Sequence, residues 1–203
     1  MAETHDTTSH EPTTWAERWA GAIAEPTRAD GPIHLAEYDP AWPGLYEREA
    51  TRIRSLLGDR VRLLEHVGST SIPGIAAKPV IDIDLAVPDS ADEPAYVADL
   101  EAGGYVLRGR EPDWFEHRLF NGPDTKLNLH VFTVGSTEID RMLAFRDHLR
   151  TNEDERRLYE ATKRELAARE WVYVQDYADA KTEIVQALVA RALAARDGKG
   201  ASR

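Results

Sequence analysis

The sequence contains no cysteine, so neither disulfide bonds nor thiolate chemistry is available to it. It also lacks any uncharged apolar run long enough to cross a bilayer. The opening residues, MAETHDTTSHEPTT, have no apolar core and do not read as a signal peptide. Basic runs are missing as well. Lys and Arg number 25 against 36 Asp and Glu, a net charge of −11 over 203 residues. A surface that acidic repels phosphodiester polymers, which disfavours polymerase-like work on nucleic acid and favours a small-molecule substrate. These absences predict a soluble, cytoplasmic protein with no membrane or nucleic-acid partner.

What is present fits one globular domain: 42% hydrophobic and 30% charged residues, with length enough to bury a core. Residues 1–30 read as a disordered N-terminus carrying a short helix over 13–24. Its Trp15, Trp19 and Ile23 form a stripe that packs on the domain or on a second copy, which leaves a homodimer open. Residues 26–31 read as a linker, residues 31–196 as the domain, and 197–203 as a flexible tail. Within the domain the patterning predicts a strand over 33–38 and a helix over 42–57 ended by Gly58-Asp59. Strands follow over 61–67 and 80–87, then a helix over 91–102 and a short strand over 105–107. A hairpin of strands 114–120 and 126–133 turns through Asn121-Gly122-Pro123-Asp124. Helices over 138–150, 153–170 and 174–195 complete the chain. The class is α+β: a mixed sheet with helices on one side, followed by a helical C-terminal block.

The chemistry concentrates in residues 64–88, LEHVGSTSIPGIAAKPVIDIDLAVP. In Val80-Ile81-Asp82-Ile83-Asp84-Leu85 the period of two puts Asp82 and Asp84 on one strand face and the apolar residues on the other. Two adjacent carboxylates on a strand that otherwise wants burial call for a counter-charge. A divalent cation is the usual one, and capping or pairing with Lys or Arg is the structural alternative. Upstream, Gly68 lets backbone approach a ligand closely, and Ser69 and Thr70 carry hydroxyls and amides that suit a phosphate.

An apolar residue, Gly-Ser, twelve residues and then Asp-apolar-Asp-apolar resembles the signature of the nucleotidyltransferase superfamily, whose fold the beta-type DNA polymerases share. Longer segments narrow the likeness. Tyr38-Asp39-Pro40-Ala41-Trp42-Pro43, His66-Val67-Gly68-Ser69-Thr70, Ile72-Pro73-Gly74, Ala77-Lys78-Pro79, Ala144-Phe145-Arg146-Asp147 and Ala180-Lys181-Thr182-Glu183 together resemble the GrpB family over residues 33–190. The resemblance implies a nucleotidyltransferase-like sheet with Mg²⁺ on Asp82 and Asp84. It implies a nucleoside triphosphate, ATP first among them, on Gly68, Ser69 and Thr70, and transfer to a small-molecule hydroxyl or amine. Where the superfamily places a third carboxylate on a neighbouring strand, this chain offers Asn128 and His130. His130 reads equally as general base or as a hydrogen-bonded sheet histidine. Glu116 is a substitute acid on the adjacent strand.

His66 supports the turn or touches a phosphate. Lys78 is a phosphate-binding cation by its match to the family, a surface lysine otherwise. Arg118 shares a strand face with Glu116 and Phe120, so it offers an ion pair or a phosphate contact. Lys181 falls in the helical stripe Tyr177, Lys181, Ile184, Leu188, where a lysine must snorkel outward or meet an anion. Arg146 reads as structural. Two rivals stand beside the transferase: a non-catalytic nucleotide or metabolite sensor, and an accessory domain associated with dephospho-coenzyme A kinase. No Gly-x4-Gly-Lys-Ser/Thr loop is present to supply that kinase itself.

Overall fold

The computed structural model describes residue 23, residues 27–29 and residues 31–200. The disordered start, nearly all of the expected 13–24 helix and residues 201–203 lie outside the described residues. Ile23 is 51% exposed, and its N–H donates to the carbonyl of Arg108 at 3.0 Å.

Helix α1 (Trp42–Leu57) forms where the pattern predicts. Pro43 sits in its first turn, where no N–H is missed, and the chain leaves it at Gly58, whose φ is 56°. Strands β1 (Leu63–Val67) and β2 (Ile81–Val87) follow, then α2 (Val97–Ala102), β3 (Val106–Glu111), β4 (His117–Asn121) and β5 (Leu127–Thr133). The C-terminal block is α3 (Thr137–Thr151), α4 (Glu153–Ala167), α5 (Val174–Asp179) and α6 (Thr182–Gly200). The five strands lie in the order β1-β2-β5-β4-β3. Only β2 and β5 run parallel, so the sheet is mixed and the class is α+β.

Alternation along β2 divides the core. Ile81, Ile83 and Leu85 pack with Ala50, Ile53 and Leu57 of α1, and with Leu129 and Val131 of β5. On the opposite face Ala86 and Phe132 meet Ile139 of α3. Helices therefore cover both faces of the sheet rather than one, because the segment after β5 also has an apolar stripe to bury.

Several boundaries differ from the pattern, each for a local reason. The strand expected over 33–38 is a single bridge, Ala36 to Ala77. Its partner segment holds Pro73, Gly74 and Pro79, which cannot sustain a ladder. The strand expected from residue 114 begins at His117, because Phe115 and Glu116 take left-handed φ values of 54° and 50°. The long last helix breaks at Ala180-Lys181 into α5 and α6, and α6 runs to Gly200, past the start of the expected tail. Nor are residues 27–29 a free linker. Ala29 N–H donates to Val172 O and Val174 N–H to Thr27 O, both at 3.0 Å.

Candidate active site

Strand register builds the site. Parallel pairing sets Asp82 beside Asn128 and Asp84 beside His130, while β1 brings Val67 and Glu65 to the other flank. Asp82 Oδ1 accepts a hydrogen bond from Asn128 Nδ2 at 2.9 Å, and Asn128 Oδ1 accepts from Asn121 Nδ2 at 3.2 Å. His130 Nε2 stands 3.8 Å from the same Asp82 oxygen. Burial opposes the Asp82 charge, yet His130, Asn128 and Lys78 together hold its carboxyl below the usual range. Burial also opposes charge on His130, but Asp82 and Asp84 more than offset it and raise that ring.

Asp84 has no such help. It is fully buried, and neither carboxyl oxygen has a hydrogen-bond partner. Burial, reinforced by Asp82 and Glu138, pushes it up to about 7, with His130 and Arg146 offsetting only part. An orphaned buried carboxyl must be neutralised by a proton or by a cation.

The Gly-Ser turn arrives at the same place. Gly68 has φ 67° and ψ −174°. A β-carbon there would strike the Asp82 carboxylate and lie 3.0 Å from both Asp82 Cβ and Cγ. Ser69 opens a single 3₁₀ turn, its Oγ 3.2 Å from Tyr159 Oη. Helix α3 holds the turn from outside. Arg146 Nη1 donates to His66 O at 3.0 Å and Glu65 Oε2 at 2.7 Å, and Arg150 donates twice to Ser71 O.

Three lysines line the helical side. Lys181 Nζ lies 4.3 Å from the centre of the Tyr177 ring and Lys78 Nζ lies 6.0 Å from it. Lys163 is 1% exposed, donates to Ala76 O at 2.5 Å and sits 4.7 Å from the centre of the Tyr159 ring. None of the three has a carboxylate within ion-pair distance among the described residues. Burial, then neighbouring Lys78, lowers Lys181 to about 8, and burial with Lys181 lowers Lys163 to about 7. The buried Tyr177 hydroxyl also lacks a partner.

Replacing Lys163 by Met therefore has a predictable sign. The folded chain releases this proton near pH 7 and the unfolded chain at an ordinary 10.5, so wild-type stability rises with pH between those values. The Met variant loses that slope and gains ~1–3 kcal/mol at pH 7, an advantage that shrinks towards alkaline pH. Urea titrations at several pH values would show it.

Four expected site residues stand elsewhere. His66 points to the α1 face and stacks on Tyr46 with ring centres 5.0 Å apart. Its Nε2 is 3.0 Å from Thr70 Oγ1, and that hydroxyl donates to Val80 O at 3.1 Å. Burial pushes His66 down to about 4, with Asp82 offsetting only part. Thr70 is itself 1% exposed, so these two brace the turn from inside instead of facing a phosphate. Arg118 lies on the α1 side of the sheet, paired across to Val131. It donates to Glu93 Oε1 at 2.6 Å and to Glu116 Oε2 at 3.2 Å, so neither Arg118 nor Glu116 joins the aspartates. Gly68, Ser69, Lys78, Asp82, Asp84, His130 and Lys181 do converge. Sequence reasoning missed Lys163, Tyr159 and the pair Glu111–His117. Only strand register and the return of α4 reveal them.

Residues 32–191 match the family model described as GrpB protein. The chain belongs to the GrpB family. This GrpB-family chain is 56% identical over 192 residues to a UPF0157 protein of Halalkalibacterium halodurans, covering 95% of itself and 98% of that protein. It is similar to the crystal structure of GrpB from Enterococcus faecalis with a TM-score of 0.70 and 30% identity, over 80% of this chain and 99% of that one. A dephospho-CoA kinase of Mycolicibacterium paratuberculosis is 37% identical over 97 residues, 45% of this chain and 24% of the kinase. The expected family and α+β fold are thus borne out. Among the described residues no helix is long and apolar enough to cross a membrane. Nor are three or more His, Asp or Glu gathered to enclose a metal ion among them.

Proposed function

We propose that the Asp82–Asp84 face is a cation-assisted nucleotidyl-transfer site acting on a small molecule. Asp84 carries this reading: two buried carboxyl oxygens with no donor, beside an ionised Asp82 that touches the Gly-Ser turn. The residues fit magnesium, which takes one or two carboxylates and completes its shell with water and phosphate oxygens. When bound, the cation would neutralise both aspartates, spread the phosphate charge and relieve the negative charge that raises His130.

The chain's own residues supply the rest. Gly68 and Ser69 offer a close backbone approach for the triphosphate of a nucleotide such as ATP. Lys78 and Lys181, unpaired with carboxylates, offset phosphate charge on the helical side. The acceptor's hydroxyl or amine forms a bond to the α-phosphorus. The bond from that phosphorus to the bridging oxygen breaks, pyrophosphate leaves, and the acceptor's proton goes to His130 Nε2. A panel of acceptors with ATP and Mg²⁺ should give pyrophosphate release that His130→Ala lowers by ~100-fold.

A second reading is a sensor or accessory domain. The amide and imidazole at Asn128 and His130, where an acid is expected, favour it, as does the partial likeness to dephospho-CoA kinase. Ligand binding without pyrophosphate release from any acceptor would select it.

A further inference from the structure

We propose that Glu111 and His117 are positioning residues that lock His130 into one tautomer, Nδ1–H towards His117 and Nε2 towards Asp82. The role this gives His130 rests on the nucleotidyl-transfer reading; the tautomer itself does not.

The polarity starts at the outer end. Glu111 Oε2 lies 2.7 Å from His117 Nδ1, and its side chain is 35% exposed. An ionised carboxylate can only accept, so the hydrogen is on His117 Nδ1. His117 is 3% exposed, its ring packed on Phe132 at 4.8 Å and edge-on to Trp114 at 5.0 Å. Burial, with His130 and Arg118, pushes it down to about 4, Glu111 offsetting only part, so the ring is neutral. A neutral imidazole has one hydrogen, and this one is already directed at Glu111. Its Nε2 is left as an acceptor.

That nitrogen lies 3.0 Å from His130 Nδ1, with the ring centres 5.2 Å apart and the ring planes 21° from parallel. His130 must therefore donate through Nδ1. Whatever charge His130 carries, Nδ1 keeps its hydrogen, and Nε2 is the nitrogen presented 3.8 Å from Asp82. The reverse polarity would set a bare His117 nitrogen 2.7 Å from a carboxylate, a far closer repulsion than the 3.8 Å at which the adopted one sets a neutral His130 Nε2 from Asp82. A base needs its lone pair on the substrate side, and Glu111 fixes that side from two residues away.

Two-bond ¹H–¹⁵N imidazole spectra of the ligand-free protein at about pH 9 read the tautomers directly. The wild type should show both histidines with hydrogen on Nδ1. Glu111→Ala should turn His130 into a tautomer mixture without loss of fold. Glu111→Gln, whose amide oxygen still accepts, should keep the wild-type pattern. In Glu111→Ala, affinity for ATP with Mg²⁺ should stay within about threefold while turnover falls ~10- to 100-fold. His130 carrying its hydrogen on Nε2 in the wild type would overturn the proposal. So would a His130 pattern left unchanged by both Glu111→Ala and His117→Phe. Because the spectra need no nucleotide, failure of the transferase reading would leave the tautomer result standing.

Discussion

Replacing Asp84 by Asn is expected to make the protein more stable and to abolish its response to magnesium. In the folded chain the Asp84 carboxyl gives up its proton at about 7, against an ordinary 3.8. Between those values the folded state holds a proton that the unfolded state has lost. Stability therefore falls as pH rises through the window, and above it the full cost is present, ~4 kcal/mol at most. Asn carries no charge and escapes that cost. The gap in urea midpoint between variant and wild type should open from about pH 4 to about pH 7 and then hold. Magnesium should stabilise the wild type alone, because only its folded state offers the aspartate pair. A gap that ignores pH would contradict the burial of an unpaired Asp84, and equal stabilisation of both proteins by magnesium would contradict its proposed role as a cation ligand. Such a site gives up stability for an unsatisfied ligand atom, which a purely structural carboxylate has no reason to do.

The second large effect is expected at Gly68. Its φ of 67° with ψ of −174° lies in a region essentially confined to glycine. An added methyl would also enter the space of the Asp82 carboxylate and come within 3.0 Å of Asp82 Cβ, an atom that moves only with its strand. Gly68→Ala should therefore cost ~3 kcal/mol or more, combining backbone strain with displacement of Asp82. Gly44 is the internal control: it lies within α1, has an ordinary φ, and meets nothing within 4 Å. Gly44→Ala should gain ~0.5–1 kcal/mol from helix propensity. Thermal melts of the two variants should move in opposite directions. Parallel movement would mean the turn does not press on the acidic strand.

These residues also show how far the sequence could be read. Asp82 and Asp84 were legible because period-two alternation fixes which face they share, and the Gly-Ser spacing placed a close-approach turn before them. Helix α1 was legible down to both ends, since Pro43 and Gly58 mark them chemically. What escaped depended on contacts between distant segments. Thr70 looks like a phosphate ligand by type, but its hydroxyl lies between His66 and Val80 O. Arg118 reads as an ion pair with Glu116 or as a phosphate contact, and the register decides for the ion pair: it lies on the α1 side, held by Glu116 and by a distant Glu93 that the sequence does not reveal. His117 sits in a stretch whose strand start is masked by two left-handed residues that are not glycine, and no propensity foretells them. Lys163 falls on a helix of mixed charges, and only the packing of α4 on the 72–77 loop buries it against Ala76 O.

The most direct measurement is a calorimetric titration of ATP, with and without Mg²⁺, into the wild type and into the Asp82→Asn, Asp84→Asn double variant. Wild-type binding that requires the cation, lost in a double variant that still melts cooperatively, is the predicted result. Equal affinity in both proteins, or wild-type binding indifferent to magnesium, would contradict a cation held by the two aspartates.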